Sequence, residues 1–209
     1  MSEEVGTRRR LLIATRNEGK LREYEQLLAG LSMSLTYLTE EGITYDVEET
    51  GHTFSQNAVQ KAREYAWISG LPTLADDSGL EVDALDGGPG VHSARYAGAR
   101  ATDEDRYRLL LERLNEVPWE QRSARFRCVI AVAQPGGETY TSEGVCEGVI
   151  AFAPEGEHGF GYDPVFFLPE HGKTMAQLLP EVKNLISHRA RAAQGMARIL
   201  AEVVGKNDV

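Results

Sequence analysis

Two strand-like stretches meeting at Pro135-Gly136-Gly137 constrain this chain most. Residues 125–133 and 139–152 read as the antiparallel arms of one hairpin. Elsewhere strands and helices alternate. Residues 8–15, RRRLLIAT, form a short apolar run closed by a polar turn, the pattern of a buried strand. Asn17 then starts a helix with Leu21, Tyr24, Leu27 and Leu28 on one face, and Gly30 ends it. A weaker strand is expected over residues 34–38 and a last short one over 163–168. Thr53-Phe54-Ser55-Gln56 has the form of a capping box, and the helix behind it turns Asn57 and Lys61 the same way. Thr102 and Ser187 open two further helices. A hairpin combined with helix-separated strands gives an α/β or α+β domain with a mixed sheet.

The 209 residues suit one domain, expected over residues 1–209 with residues 1–7 and 205–209 disordered. No apolar run approaches the ~20 residues of a membrane span, and the basic start is not followed by a secretory segment. A cytoplasmic protein without a membrane partner is expected. A net charge of −10 argues against binding along a nucleic-acid backbone. It leaves room for a small phosphorylated ligand, which needs only a local basic cluster. Cys128 and Cys146 form no CxxC pair, so multi-cysteine zinc sites are excluded and reduced core thiols are expected.

The stretch LADDSGLEVDAL, residues 74–85, places Asp76 and Asp77 after a short apolar run, before Ser78-Gly79. It reads as a strand ending in a polar turn, or as carboxylates gathered for chemistry. P-loop, dinucleotide, EF-hand, HExxH and GxSxG patterns all fail here. What remains is Thr15-Arg16-Asn17-Glu18-Gly19-Lys20, a strand–turn–helix whose free N–H groups attract an anion, or else an ordinary polar cap. Asp76 and Asp77, with Glu49 from an acidic loop, suit a Mg²⁺ ion, which takes one or two carboxylates beside phosphate oxygens. One of them could instead activate a water. Gly159-Phe160-Gly161-Tyr162-Asp163-Pro164 offers aromatic rings to a base, or simply to the core. His188 and Arg189 stand at a helix start, as donors to a carbonyl oxygen or as a solvated cap.

Taken in order, TRNEGK, EETGHTFSQNAVQKA, LADDSGLEVDALDGGPGVHSARYAG, GFGYDPVFF and KNLISHR closely resemble the inosine triphosphate pyrophosphatase-like family. The resemblance implies an elongated α/β fold with a central mixed sheet flanked by helices, two lobes with an active-site cleft between them, and a homodimer. It implies hydrolysis of ITP, dITP or XTP to the monophosphate and pyrophosphate with Mg²⁺. A different base preference and a non-catalytic nucleotide sensor are the alternatives. Residue by residue, Asp77 resembles the catalytic acid and a metal ligand, with Glu49 its companion and Asp76 in support. The segment Thr15 to Lys20 (Thr15, Arg16, Asn17, Glu18, Gly19, Lys20) resembles the triphosphate site, flanked by Asn57 and Lys61. Ser78, Phe160, Gly161, Tyr162, Asp163, Lys183, His188 and Arg189 resemble substrate-binding residues, the last two reading the purine 6-keto group. Arg16 departs from the family pattern, where a small residue is usual.

Overall fold

In the computed structural model, which describes residues 9–207, Asn17, Thr53 and Thr102 cap three of the helices that frame the sheet, and the central strand over residues 73–82 is buried along most of its length. Seven strands form one mixed sheet in the order β2-β1-β3-β4-β5-β6-β7. These are β1 (Arg10–Ile13), β2 (Ser34–Tyr37), β3 (Thr73–Val82), β4 (Ser123–Ala133), β5 (Thr139–Ile150), β6 (Phe166–Leu168) and β7 (Lys173–Thr174). The helices are α1 (Glu18–Leu27), α2 (Phe54–Ser69), α3 (Asp103–Arg113), α4 (Pro180–Ile186) and α5 (His188–Asn207). β1 runs parallel to β2 and β3, whereas β3, β4, β5, β6 and β7 are successively antiparallel. The hairpin is present as expected, paired from Ser123↔Val149 to Ala133↔Thr139.

Alternation along the strands sends neighbours to opposite faces. Leu12, Ala75, Val129 and Ala131 pack with Ala58, Ala62 and Tyr65 of α2. Leu11, Ile13, Leu74, Cys128 and Ile130 pack on the other face with Tyr24 of α1 and Ala193 and Met196 of α5. Farther along, Leu80, Val82, Phe126 and Ile150 join Leu110 of α3 and Met175 in a third cluster. Both cysteines are free and buried.

Two expectations are corrected. Asp76 and Asp77 do not end a strand: β3 continues through both to Val82, with β4 paired beside it all the way. A continuous antiparallel partner supplies hydrogen bonds that a turn would forgo, and this outweighs the turn preference of Asp-Ser-Gly. α5 runs through Asn207. The expected strand over 163–168 begins with a 3-10 turn at Asp163–Val165, and only Phe166–Leu168 is strand. The expected disorder of residues 1–7 lies outside the described residues, as do 208–209.

α5 reaches the sheet because Gly144 of β5 has no side chain. A Cβ there would collide with the carbonyl oxygen of His188 and lie 2.5 Å from the amide nitrogen of Ala192. The obstacle is backbone, which cannot rotate away. Gly144→Ala is therefore expected to push back the first turn of α5, lowering stability by about 1–3 kcal/mol. That corresponds to roughly 2–12 °C in melting temperature. Differential scanning calorimetry checks it; an unchanged Tm would show that the helix does not bear on Gly144.

Candidate active site

β1 stops at Ile13, and its register with β3 covers only Thr73 and Leu74. Beyond that point the chain leaves into α1, and the edge of β3 is free of a strand. Side chains take up the backbone groups that a longer β1 would have paired. Lys61 Nζ donates to the Asp76 carbonyl at 2.7 Å, Ser78 N–H to Asp77 Oδ1 at 3.0 Å, and Leu80 N–H to Ser93 Oγ at 2.9 Å. The opening lies where the sheet changes from parallel to antiparallel, past the carboxyl end of a parallel strand, the usual place for a ligand in such sheets.

Because side chains alternate, the adjacent aspartates face opposite sides of the sheet. Asp76 turns to the α1/α5 side, buried, with Lys20 Nζ at 2.9 Å and Arg189 Nη2 at 3.6 Å from Oδ2. Burial alone would raise its carboxyl pKa, but Lys20, Arg189 and Lys61 hold it well below the usual carboxylate range. Asp77 turns to the α2 side, where Asn57 Nδ2 donates to Oδ2 at 2.8 Å. Burial raises its pKa, with Lys61 opposing and Glu49 adding to the rise. Two like charges adjacent in sequence are thus separated by the sheet and differently solvated.

Asn57 is fully buried and its amide is used at both ends, since its Oδ1 accepts from Gly51 N–H at 2.7 Å. That bond ties the acidic loop bearing Glu49 to the Asp77 carboxylate. Lys61 forms a short ion pair with Glu49, where burial lowers the ammonium pKa but Glu49, Asp77 and Asp76 raise it further. The helix is placed by Thr53, which accepts from Gln56 N–H at 3.2 Å. Gln56 returns its bond to His52 N–H at 2.8 Å rather than to Thr53, a variant of the expected box.

A pocket of about 790 Å³, counting its open mouth, occupies this gap. Asn17, Lys20, Glu49 and Asp77 line it, as do Ser78, Phe160, Gly161, Tyr162 and Asp163, and Lys183, His188 and Arg189. Its size is that of a small-molecule site. Asn17 caps α1 by accepting from Lys20 N–H at 3.0 Å, which fixes where Lys20 begins. The structure does not bring Thr15, Arg16, Glu18, Gly19, Asn57 or Lys61 to the pocket wall. Thr15 Oγ1 accepts from Asn17 N–H at 3.2 Å; Arg16 reaches Asp46 at 2.6 Å and the Ile43 carbonyl; Glu18 pairs loosely with Arg22 at 3.8 Å.

Sequence reasoning missed Glu23, Asp103 and Arg106. Glu23 is buried on α1 between two cations, Lys183 Nζ at 2.9 Å and Arg189 Nη1 at 2.5 Å. Burial would raise its pKa, but those cations lower it on balance. An acid three residues beyond Lys20, bordering the apolar stripe of α1, was the available signal. Asp103 accepts from Gly161 N–H at 2.7 Å and, with Arg106, lines the pocket. Their position at a helix start resembles any cap and gave no signal.

Three buried nitrogens on pocket-lining residues have no protein partner, Arg106 Nε, His188 Nδ1 and Arg189 Nε. Buried polar atoms are nearly always paired, so these three call for a ligand or water. The His188 ring stacks on Phe126 at 4.8 Å, and burial, then Arg189 and Lys183, push its pKa well below 6.5. Among the described residues no three acids, histidines or cysteines group into a metal site. Glu49 and Asp77 are hard oxygen donors lining the same cavity as Lys20, a pair that fits a Mg²⁺ ion completed by phosphate oxygens and water.

The Ham1 family model matches residues 11–199. The dITP/XTP pyrophosphatase of Geobacter sulfurreducens is 55% identical over 183 residues, 88% of this chain and 92% of that protein. The dITP/XTP pyrophosphatase of Geobacillus kaustophilus is 53% identical over 195 residues, 93% and 96% of the two chains. Among solved structures, a HAM1 protein from Coxiella burnetii superimposes with a TM-score of 0.85 at 45% identity, covering 93% of this chain and 99% of that one. The Staphylococcus aureus Ham1 protein gives 0.84 at 41% identity with the same coverage.

An unfolded histidine takes up a proton below pH 6.5, whereas buried His188 does not. Unfolding therefore binds a proton in that range, and stability falls as pH drops. The contribution is at most about 1.4 kcal/mol per pH unit. Urea denaturation between pH 6.5 and 5 is expected to show this slope, reduced by about one proton in His188→Gln. Equal slopes in the two proteins would mean that His188 is charged in the native state.

Proposed function

The chain belongs to the Ham1 family, and we propose that it hydrolyses non-standard purine nucleoside triphosphates, dITP, XTP and ITP, to the monophosphate and pyrophosphate. One observation supports the reading beyond kinship: a single cavity is lined by the ammonium of Lys20, the carboxylates of Glu49 and Asp77, the Phe160 ring, and His188 and Arg189. The first three suit a metal-bound polyphosphate and the others a purine base. A polyphosphate repels carboxylates unless cations intervene, and Lys20 together with Mg²⁺ supplies them.

Asp77 is the group that places and deprotonates the attacking water. Each of its oxygens already accepts one hydrogen bond, from Ser78 N–H and from Asn57 Nδ2, so the carboxylate is held in one orientation with lone pairs to spare. Attack falls on the α-phosphorus, and pyrophosphate leaves toward Lys20, whose ammonium offsets the charge developing on it. Glu49 and Asp77 are the residues that would hold magnesium, which when bound neutralises phosphate charge. Arg189 Nε has no protein acceptor and suits a purine 6-keto oxygen. Adenine presents an amino group there, and an unpaired buried donor costs about 1–3 kcal/mol, roughly 5- to 150-fold against ATP. A homodimer, which rests on the family resemblance, and a cytoplasmic location, which rests on the sequence expectation, are part of the proposal.

The test is pyrophosphate release from dITP, XTP, ITP, ATP and GTP, with and without Mg²⁺. The first three are expected to turn over fastest and only with the metal; preference for UTP or dTTP would overturn the purine assignment. Asp77→Asn is expected to lower kcat about 10²- to 10⁴-fold while the fold persists by circular dichroism. Undiminished turnover would remove Asp77 from the chemistry.

A further inference from the structure

Gly19 lies at the second position of α1, where a glycine is a poor helix former, and it is buried. A Cβ built there would stand 2.5 Å from Cδ1 and 2.8 Å from Cγ and Cε1 of Phe160. The Phe160 ring therefore rests directly on the first turn of α1, in space that any side chain at position 19 would fill. Two buried cations hold the ring as well, Lys183 Nζ at 4.6 Å and the Arg189 guanidinium carbon at 5.6 Å from its centroid. The loop's main chain is fixed separately, by Phe160 N–H to Asp163 Oδ2 at 2.9 Å and by Gly161 N–H to Asp103.

Phe160 and Lys183 also line a second cavity, of about 570 Å³, whose wall includes Gly19. Gly19 does not line the nucleotide pocket, whereas Phe160 lines both, so the ring stands between the cavity beside Gly19 and that pocket. We propose that Gly19 is a positioning residue for base recognition: its missing side chain sets the depth of the Phe160 ring in the nucleoside part of the pocket. This deepens the proposed function and rests on it. The same helical turn carries Asn17 and Lys20, so one rigid element sets both the aromatic wall and the phosphate grip.

The obstacle to a methyl group at position 19 is a rotatable ring, not backbone. Gly19→Ala is therefore expected to keep the fold and move the ring off α1 into the nucleoside space. Base–aromatic stacking carries enough of the affinity that a misplaced ring is expected to raise KM for dITP about 5- to 30-fold, with a smaller loss in kcat. Inorganic tripolyphosphate has no base, so its inhibition constant is expected to change less than about 2-fold, well below what a lost stack produces. In a Phe160→Ala background the added Gly19→Ala change is expected to alter KM by less than about 2-fold, since the two substitutions act through one ring.

Wild-type turnover of dITP tests the function by itself, and the ratios between variants test the role of Gly19. Three results would each overturn that role. They are an unchanged KM in Gly19→Ala, an equal loss of tripolyphosphate and dITP binding, and an undiminished Gly19→Ala effect when Phe160 is alanine. A fall in Tm beyond about 5 °C would also overturn it, because the strain would then lie in the backbone rather than in a movable ring.

Discussion

The architecture of the site depends on one mismatch in strand length. β1 ends at Ile13 while β3 continues to Val82, and the hydrogen-bonding edge exposed between them must be satisfied without a strand. Lys61, Asp77 and Ser93 do this with side chains, which places an ammonium, a carboxylate and a hydroxyl around the gap. Unpaired buried backbone groups are costly, so these contacts serve the fold first. Their chemistry is then available to whatever enters. The same gap lets residues from both faces of the sheet, Lys20 from one and Glu49 from the other, line a single pocket.

The reach of sequence reasoning follows from how local each signal is. The β1–α1 unit, the β4–β5 hairpin and the cap at Thr53 were legible because periodicity and turn chemistry act within a few residues. The family motifs marked the pocket lining from Asn17 to Arg189, since ordered motifs carry information that single residues lack. Asp76 and Asp77 were misplaced at a turn because the force that extends β3 comes from β4, some fifty residues away in sequence. The short strand β7 and helix α4 were missed for a related reason. Each is too brief to show a period and exists by packing against neighbours.

Roles were less legible than positions. Asn57 and Lys61 were read as beside the phosphates, and they do face the aspartates. Their polar atoms, however, are engaged with Gly51, Asp77, Glu49 and the Asp76 carbonyl. A motif reports that a residue matters near a site; only the contacts show whether it touches the ligand or orients a group that does. Glu23 makes the converse point. It carries no motif of its own, yet it joins Lys183 to Arg189 and so links α1, α4 and α5 beneath the pocket.

That buried web of Asp76, Lys20, Arg189, Glu23, Lys183 and Asp163 has a consequence for how the protein can change. Removing one partner of a buried ion pair leaves its opposite number stranded, at a cost of about 3–5 kcal/mol, a large share of a typical domain's stability. No member can be exchanged singly for a neutral residue at little cost. Drift at these positions has to proceed by coordinated exchanges, in which a lost charge and its counterion depart together. The interior of the pocket is thereby frozen in composition, a constraint that does not extend to Arg16 and Glu18 outside its wall.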